Sequence, residues 1–506
     1  MAKAPKQRYI LNLKLKTQLF QEDILDKRFE IGRKIYNAVL CQALKRYREM
    51  TKTKKWRENQ NNILNIYKVE KDDKKRSKFC KSYFNIKNNM LKEFRLNEYS
   101  LHADVKPIQR HFKKNIDSFT AQKIASRVYK AIDDNLFGKG EEVHFKGINK
   151  ALNSLEGKSN GTGIRYNIET NMLLWNGLEI PVKLDINNKY ETDALRDKIC
   201  FCRIKRKFVR GKYKYILQLI LEGIPPIKIN KQGEVKNKVG IGVCGVDIGT
   251  QTVAYISDYD CKLLELAPRV QNIENEKRKI LRYMDRSKRA INSNNFNENG
   301  TIKRGIKLEW NYSNKYIRAK NKLKDLYRKQ ADIREQDHNI MVNEILRNCD
   351  TVYVEDMNYK GLQKRNKNTE KNDKGKFKKK KRFGKSLANK APSMFLVILQ
   401  NKLKAKGGLY YEINTREVKA SQYNHLNQEY NKKKLSQRWN YFKYNEEQIK
   451  VQRDLYSSYL IKNINSDLKS INNNQCEKDF DKFLELHNKE ILRLQGLNNN
   501  LSSMGI

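Results

Sequence analysis

Three acidic side chains stand where a fold could bring them together. Asp247 closes the apolar run of GVDIGTQTVAYIS (245–257), and Glu355 closes that of DTVYVED (350–356). Asp454 sits among apolar residues in VQRDLYSSYLIKN (451–463). Taken singly, each reads as well as an ordinary strand-end or helix-surface residue, and the neighbouring Asp258, Asp260 and Asp356 read as turn or surface groups. Taken together they pose an electrostatic problem. Unpaired carboxylates at one buried edge repel each other unless divalent cations neutralise them. Mg²⁺ takes oxygen ligands and keeps waters, so it suits such a set. Two such ions, about 3.5–4 Å apart, can activate a water and stabilise the leaving oxygen of a phosphodiester.

A competing chemistry starts from the same stretch. A strand followed by a glycine hairpin also cradles the phosphates of ATP in actin-like kinases and chaperone ATPases. That machine needs a second Gly-rich hairpin and an adenosine site built of further glycines. Only 24 of 506 residues are Gly, below the usual ~7%. In VYVEDMNYKGL (352–362) the glycine comes too late to serve. The ATPase reading falls away, and Gly249 reads as the residue that shapes the hairpin after Asp247.

The elements that must position these acids follow from periodicity. Strands are expected at VGIGVCGVDIG, TVAYIS and KLLEL, then helices over 269–291 and 312–348. A strand at 350–356, a helix over 387–407 and a strand at 408–414 come next, with helices over 446–465 and 476–495 closing the chain. Three meandering strands, then helix–strand–helix–strand–helix, is the order of a ribonuclease H-like domain. In it the ends of strands one and four are neighbours, and a late helix crosses beside them. On that helix Val451, Leu455, Ser458 and Tyr459 would share the packed side with Asp454.

The first half reads differently. RYILNLKLKT (8–17) alternates as a strand, 21–48 has an amphipathic helical period, 51–100 is charged and helical with loops, and 118–140 is a further helix. Residues 141–230 turn β-like, with a hairpin about Arg210–Gly211. The expected fold class is multidomain α/β: a small β-barrel interrupted by a helical domain, a linker, then the ribonuclease H-like domain.

Charge points to the partner. Against 57 Asp and Glu stand 106 Lys and Arg, a formal +49 spread along the chain. Self-repulsion of that size is relieved by polyanions, which makes nucleic acid the expected ligand. Phosphate-contact candidates are Lys205, Arg206, Lys207, Arg210, Lys212 and Lys214 in KRKFVRGKYKY, and Arg110, Lys113 and Lys114 in RHFKKN. Lys378, Lys379, Lys380, Lys381 and Arg382 in the basic run 374–383 join them. The interleaved aromatics could stack bases, or the hairpin could simply be amphipathic with a solvated basic face. Eight cysteines include no CxxC pair, which supports neither a disulfide framework nor a four-cysteine zinc site. No signal segment or membrane span is legible, so a reducing cytosol is expected.

The three acidic motifs resemble the split RuvC motifs of TnpB, the transposon-encoded RNA-guided nuclease, and of its miniature type V (subtype F) CRISPR effector relatives. REQDHNIMVNEILRNCDTVYVED (334–356) resembles the family's helix leading into its second motif. INTREVKASQYNHLNQEY followed by KKKLSQRW resembles the segment between the second and third motifs, and 283–300 resembles an insert of some members. The likeness is dense over 240–465 and rests on organisation before that.

It implies a first wedge strand (1–20), a helical recognition domain (21–140), a wedge β-barrel (141–230), a linker (231–239) and a RuvC domain (240–414). A target-loading insert (415–445) and the third motif with a terminal helix (446–506) complete it. It implies that Asp247, Glu355 and Asp454 bind two Mg²⁺, with Mn²⁺ as a substitute, and that Arg438 contacts the scissile strand. The implied activity is cleavage of duplex DNA paired to a guide RNA beside a short flanking motif; some relatives act with a second copy of themselves.

One departure stands out. Where the family has SQTCxxCG, this chain has Ser421, Gln422, Tyr423, Asn424, His425, Leu426 and Asn427, so no structural zinc is expected. A lone His425 makes a poor zinc site. Two alternatives remain: an RNA-guided DNA-binding repressor that does not cut, and an RNA-independent transposase or resolvase. The intact acids argue against the first, and the missing helix-turn-helix argues against the second.

Overall fold

The computed structural model describes residues 7–70, 72–136, 140, 142–148, 152–363, 384–434, 436–497 and 504–506. The chain divides into two compact units, Met1–Ile229 and Asn230–Ile506.

The first unit opens with β1 (Arg8–Leu15), whose alternation buries Tyr9, Leu11, Leu13 and Leu15. Five helices follow: α1 (Leu19–Lys52), α2 (Lys54–Val69), α3 (Asp73–Glu93), α4 (Glu98–His111) and α5 (Ser118–Leu136). Thr53, Asp72 and Asn97 cap α2, α3 and α4 by accepting backbone N–H groups that have no helical partner. Then come β2 (Ser154–Glu156), β3 (Arg165–Asn167), β4 (Met172–Trp175), β5 (Leu178–Lys183), α6 (Lys189–Ala194), β6 (Ile199–Val209) and β7 (Lys212–Glu222). The sheet order is β2-β6-β7-β1-β5-β4-β3, curled so that β3 returns towards β6. β1 pairs with both β7 and β5, so the five helices are an insertion into one sheet. The β6–β7 turn falls at Arg210–Gly211, both left-handed (φ 49° and 87°), as a tight hairpin requires.

The second unit is built on β8 (Val243–Ile248), β9 (Thr252–Ile256) and β10 (Cys261–Glu265), followed by α7 (Val270–Ile291), α8 (Asn314–Leu346) and β11 (Thr351–Glu355). Next are α9 (Tyr359–Gln363), α10 (Gly384–Lys390), α11 (Pro392–Ala405), β12 (Leu409–Ile413) and α12 (Thr415–Val418). Two short strands, β13 (Tyr423–Asn424) and β14 (Glu429–Tyr430), precede β15 (Trp439–Tyr444), β16 (Glu447–Gln452), α13 (Arg453–Lys462) and α14 (Asn473–Gln495).

The five-stranded sheet runs β10-β9-β8-β11-β12, antiparallel through β8 and parallel from β8 to β12. One face packs Val246, Tyr255 and Val354 against Val342 and Ile345 of α8 and Phe395 and Leu399 of α11. The other packs Ala254, Ile256 and Leu263 against Leu455 and Tyr459 of α13 and Phe480 and Phe483 of α14. Among the described residues no helix is long and apolar enough to cross a membrane.

Two expected helices are corrected. The one expected over 446–465 begins only at Arg453, because Asn445 and Glu446 are both left-handed (φ 49° and 68°) and turn β16 back onto β15. Val451 is therefore buried on a strand, not on the helix of Asp454. The helix expected over 387–407 is divided at Ala391 (φ 46°), with Pro392 opening α11.

Candidate active site

The β8–β11 ladder ends at the pair Val246 and Val354, so Asp247 and Glu355 are the next residues on adjacent parallel strands. Asp454 lies in the first turn of α13, where the helix dipole favours a carboxylate. The start of α13 is held firmly. Gln452 caps it by accepting from the Leu455 N–H (2.9 Å), and the Gln452 N–H donates to His487 Nε2 (3.0 Å). Further along, α13 passes directly over Gly245, where no side chain would fit beneath the Ser458 carbonyl. Strand order sets two of the acids side by side, and a glycine lets the helix bring in the third.

All three line one cleft of about 600 Å³, together with Arg438, Arg453 and Lys433. Burial, reinforced by the charges of Glu355 and Asp454, pushes the Asp247 carboxyl well above its ordinary range, while Arg453 and the Ser457 hydroxyl pull it back. Burial pushes Glu355 up to about 7. Asp247 and Glu355 therefore lack enough nearby positive charge to ionise together in the usual carboxylate range. Arg453 supplies some: its Nε and Nη2 donate to Asp454 Oδ1 at 3.1 and 3.0 Å. Arg438 Nη1 lies 3.8 Å from Asp454 Oδ2.

The donor types, oxygen only and under-neutralised, fit a hard divalent cation. Their arrangement does not form a finished cage. Among the described residues, no three His, Cys, Asp or Glu side chains are grouped so as to hold a metal ion as they stand.

With this geometry in hand, two solved structures bear comparison. Over most of its length the chain is similar to Cas12f. A Cas12f1–sgRNA–target DNA complex matches at 10% identity and a TM-score of 0.39, over 90% of this chain and 98% of that one. A CRISPR–Cas12f ternary complex matches at 14% identity and a TM-score of 0.24, over 87% and 82%. No family model and no curated protein matches the sequence.

The remaining expected residues fall into different surroundings. Arg206 is a correction. It is buried between Phe29 and Tyr213 (4.4 and 4.5 Å to the ring centroids), ion-paired to Asp26 at 2.8 Å, and donates from Nε to the Leu152 carbonyl. Its long stem and flat head fill a core, which leaves nothing to offer a phosphate. Lys205, Arg210, Lys212, Lys214, Arg110, Lys113 and Lys114 are exposed, and Lys207 is half-buried. Lys378, Lys379, Lys380, Lys381 and Arg382 lie outside the described residues.

His425 is fully buried, with Nδ1 2.6 Å from the Tyr456 hydroxyl and its ring edge-on to Phe480 at 4.6 Å. Burial lowers its pKa to about 4. The segment around it is tied down by packing and by the Tyr423 hydroxyl, which donates to Asn473 Oδ1 at 2.9 Å.

Sequence reasoning missed Arg453, Lys432 and Lys433 in the cleft wall. A signal was there: Arg453 directly precedes Asp454, and the two lysines open the run that contains Arg438.

Proposed function

We propose that this protein is a divalent-metal-dependent, RNA-guided DNA endonuclease whose hydrolytic centre is the cleft of Asp247, Glu355 and Asp454. The second unit then reads as a ribonuclease H-like domain of RuvC type, and the curled sheet with its helical insertion as the guide- and flank-reading half. One observation carries the reading. Three carboxylates remote in sequence, from the first strand, the fourth strand and a late helix, share one cleft with two arginines. A phosphate-binding turn would not need the second and third acid, and a chance cluster would not place cations opposite them.

Asp247, Glu355 and Asp454 would hold the metal, which supplies an activated water and neutralises the charge that builds on a cleaved phosphodiester. The chain's own groups do the rest. Lys432, Lys433 and Arg438 line the cleft and would draw in the strand to be cut, with Arg438 placed to hold a phosphate oxygen by paired N–H donors. Burial of Asp247 and Glu355 keeps the carboxyls poorly solvated, so they gain more from a cation than exposed acids would. Sequence choice would rest on guide–target pairing, with exposed lysines such as Lys212 and Lys214 gripping backbone charge.

The test is to express the protein with its native flanking DNA, sequence the co-purifying RNA, and incubate the complex with a matching duplex in Mg²⁺ or EDTA. Discrete RNA, together with Mg²⁺-dependent cutting that is lost in EDTA and in Asp247→Ala, supports the reading. Absence of RNA removes the guided part, and unchanged cutting by Asp247→Ala removes the assigned centre.

A further inference from the structure

Asp454 does not face the cleft alone. Both Nε and Nη2 of Arg453 converge on its Oδ1, and Arg453 Nη1 donates to the Gln437 carbonyl at 3.1 Å. The Arg453 N–H donates to the Arg438 carbonyl at 2.9 Å, so both arginines are anchored at the junction of β15, β16 and α13. The Arg453 and Asp454 side chains are little exposed, 13% and 15%, so water screens the pair weakly. This is an ion pair made within the cleft, on one of the three acids the metal would need.

We propose that Arg453 is a resident counter-ion that holds Asp454 until nucleic acid enters the cleft. Transfer of its guanidinium from Asp454 to a backbone phosphate then completes the cation site. The proposal rests on the nuclease reading of this cleft. The physics is competitive. A guanidinium donates to a phosphate with the same forked geometry it uses on a carboxylate, so the exchange replaces the two hydrogen bonds made to Asp454. A divalent cation beside Asp454 is repelled by Arg453 for as long as that arginine stays on Oδ1. Once the arginine turns to a phosphate, Asp454 regains Oδ1 as a possible ligand and the positive charge is matched by a new anion. Metal and nucleic acid therefore bind cooperatively, and by linkage each raises the affinity of the other by the same factor. Arg453 is in this sense a positioning residue acting through Asp454.

The experiment measures Mn²⁺ binding by electron paramagnetic resonance of the free ion. It uses the full chain with its co-purifying RNA, with and without a short phosphorothioate DNA strand. Asp247→Ala serves to subtract Mn²⁺ held by the nucleic acids themselves. The wild type is expected to bind Mn²⁺ at least about tenfold more tightly with the DNA strand present. Arg453→Gln is expected to bind as tightly without DNA as the wild type does with it, and Arg453→Lys, which keeps the charge, to retain most of the DNA dependence. A merely structural Arg453 would do the opposite, since its loss would weaken Mn²⁺ binding in both conditions.

Equal wild-type affinity with and without DNA overturns the proposal and needs no variant to be read. An unchanged or weakened affinity in Arg453→Gln overturns it as well. If Asp247→Ala binds as much Mn²⁺ as the wild type throughout, the metal assignment of the cleft fails first, and the counter-ion role falls with it.

Discussion

Gly245, two residues before Asp247 on β8, decides how close α13 can come. A Cβ built there would stand 2.1 Å from the Ser458 carbonyl oxygen and 2.3 Å from the Lys462 nitrogen. Carbon and oxygen in contact normally settle at ~3.3 Å or more. An alanine therefore forces α13 and β8 apart by about 1 Å. Both opposing atoms are helix backbone, so no rotamer change can absorb the clash. Asp454 rides on the first turn of that helix and Asp247 on that strand, so the displacement falls between two of the three acids. Overpacking of this kind costs ~1–3 kcal/mol, and a misplacement of ~1 Å at a reacting centre can cost ~10²-fold in rate.

Gly245→Ala is thus expected to melt a few degrees lower and to cut about a hundredfold more slowly at saturating Mg²⁺. Gly249 provides the contrast. It was read from sequence as the residue shaping the hairpin, yet its φ is not left-handed and its Cβ would meet Thr252 Oγ1 at an ordinary 3.4 Å. Gly249→Ala should melt and cut close to the wild type. The measurements are thermal melts in EDTA and single-turnover cutting in Mg²⁺. A Gly245→Ala protein that melts and cuts like the wild type would refute the reasoning, as would equal damage from both substitutions.

The Glu355 carboxyl is held near 7 by burial, above its unfolded value of 4.5. A raised carboxylate favours folding below its unfolded pKa and loses that contribution as pH rises through the folded one. In EDTA at pH 8, Glu355→Gln should therefore be more stable than the wild type, by on the order of 3 kcal/mol in urea melts, with the difference gone by pH 4. His425 runs the other way, since its pKa is lowered from 6.5 to about 4. Its contribution is present above 6.5 and lost as pH falls towards 4, and urea melts of His425→Phe should show a flatter acid limb than the wild type. Arg206→Gln should cost about 2 kcal/mol of stability by emptying a buried ion-pair and ring-stacking site. Lys212→Gln with Lys214→Gln should leave the melting temperature within ~0.5 °C and flatten the log–log salt dependence of nucleic-acid binding, by up to ~1 for each phosphate contact removed.

The parts of the site that depend on strand ends were legible in the sequence. An apolar run that stops at an acid marks both a strand and its edge, and Asp247 and Glu355 sit where β8 and β11 end. Asp454 was singled out too and lines the same cleft, but its surroundings were misread. The stretch 439–452 alternates strongly enough to be a hairpin, yet its turn is Asn445–Glu446, a pair without glycine, so the strand merged with the helix behind it. That error hid the junction at which Arg453 and Arg438 meet. The long-range facts were out of reach for a different reason. Nothing local says that Gly245 lies beneath Ser458, or that Arg206 pairs with Asp26 across 180 positions, because packing partners are set by the whole fold.

The same point changes how the charge of +49 should be read. It suggested a surface covered in phosphate contacts, yet several cations are sunk into the protein. Arg28 donates to the carbonyls of Trp175 and Asn176 while stacked on the indole at 4.5 Å. Lys462 is pinned between Asp258 and Asp479, and Lys277 between Glu274 and Gln330. Such residues add to net charge and to long-range attraction, but they cannot form the close contacts that release counterions. The number of phosphates neutralised, read from the salt slope, should therefore fall well below the number of excess cations. What separates a structural cation from a functional one is the partner it can exchange. Arg206 has a buried partner and two aromatic faces and gains nothing by leaving. Arg453 has a carboxylate whose place a phosphate can take, at the one cleft where that carboxylate has further use.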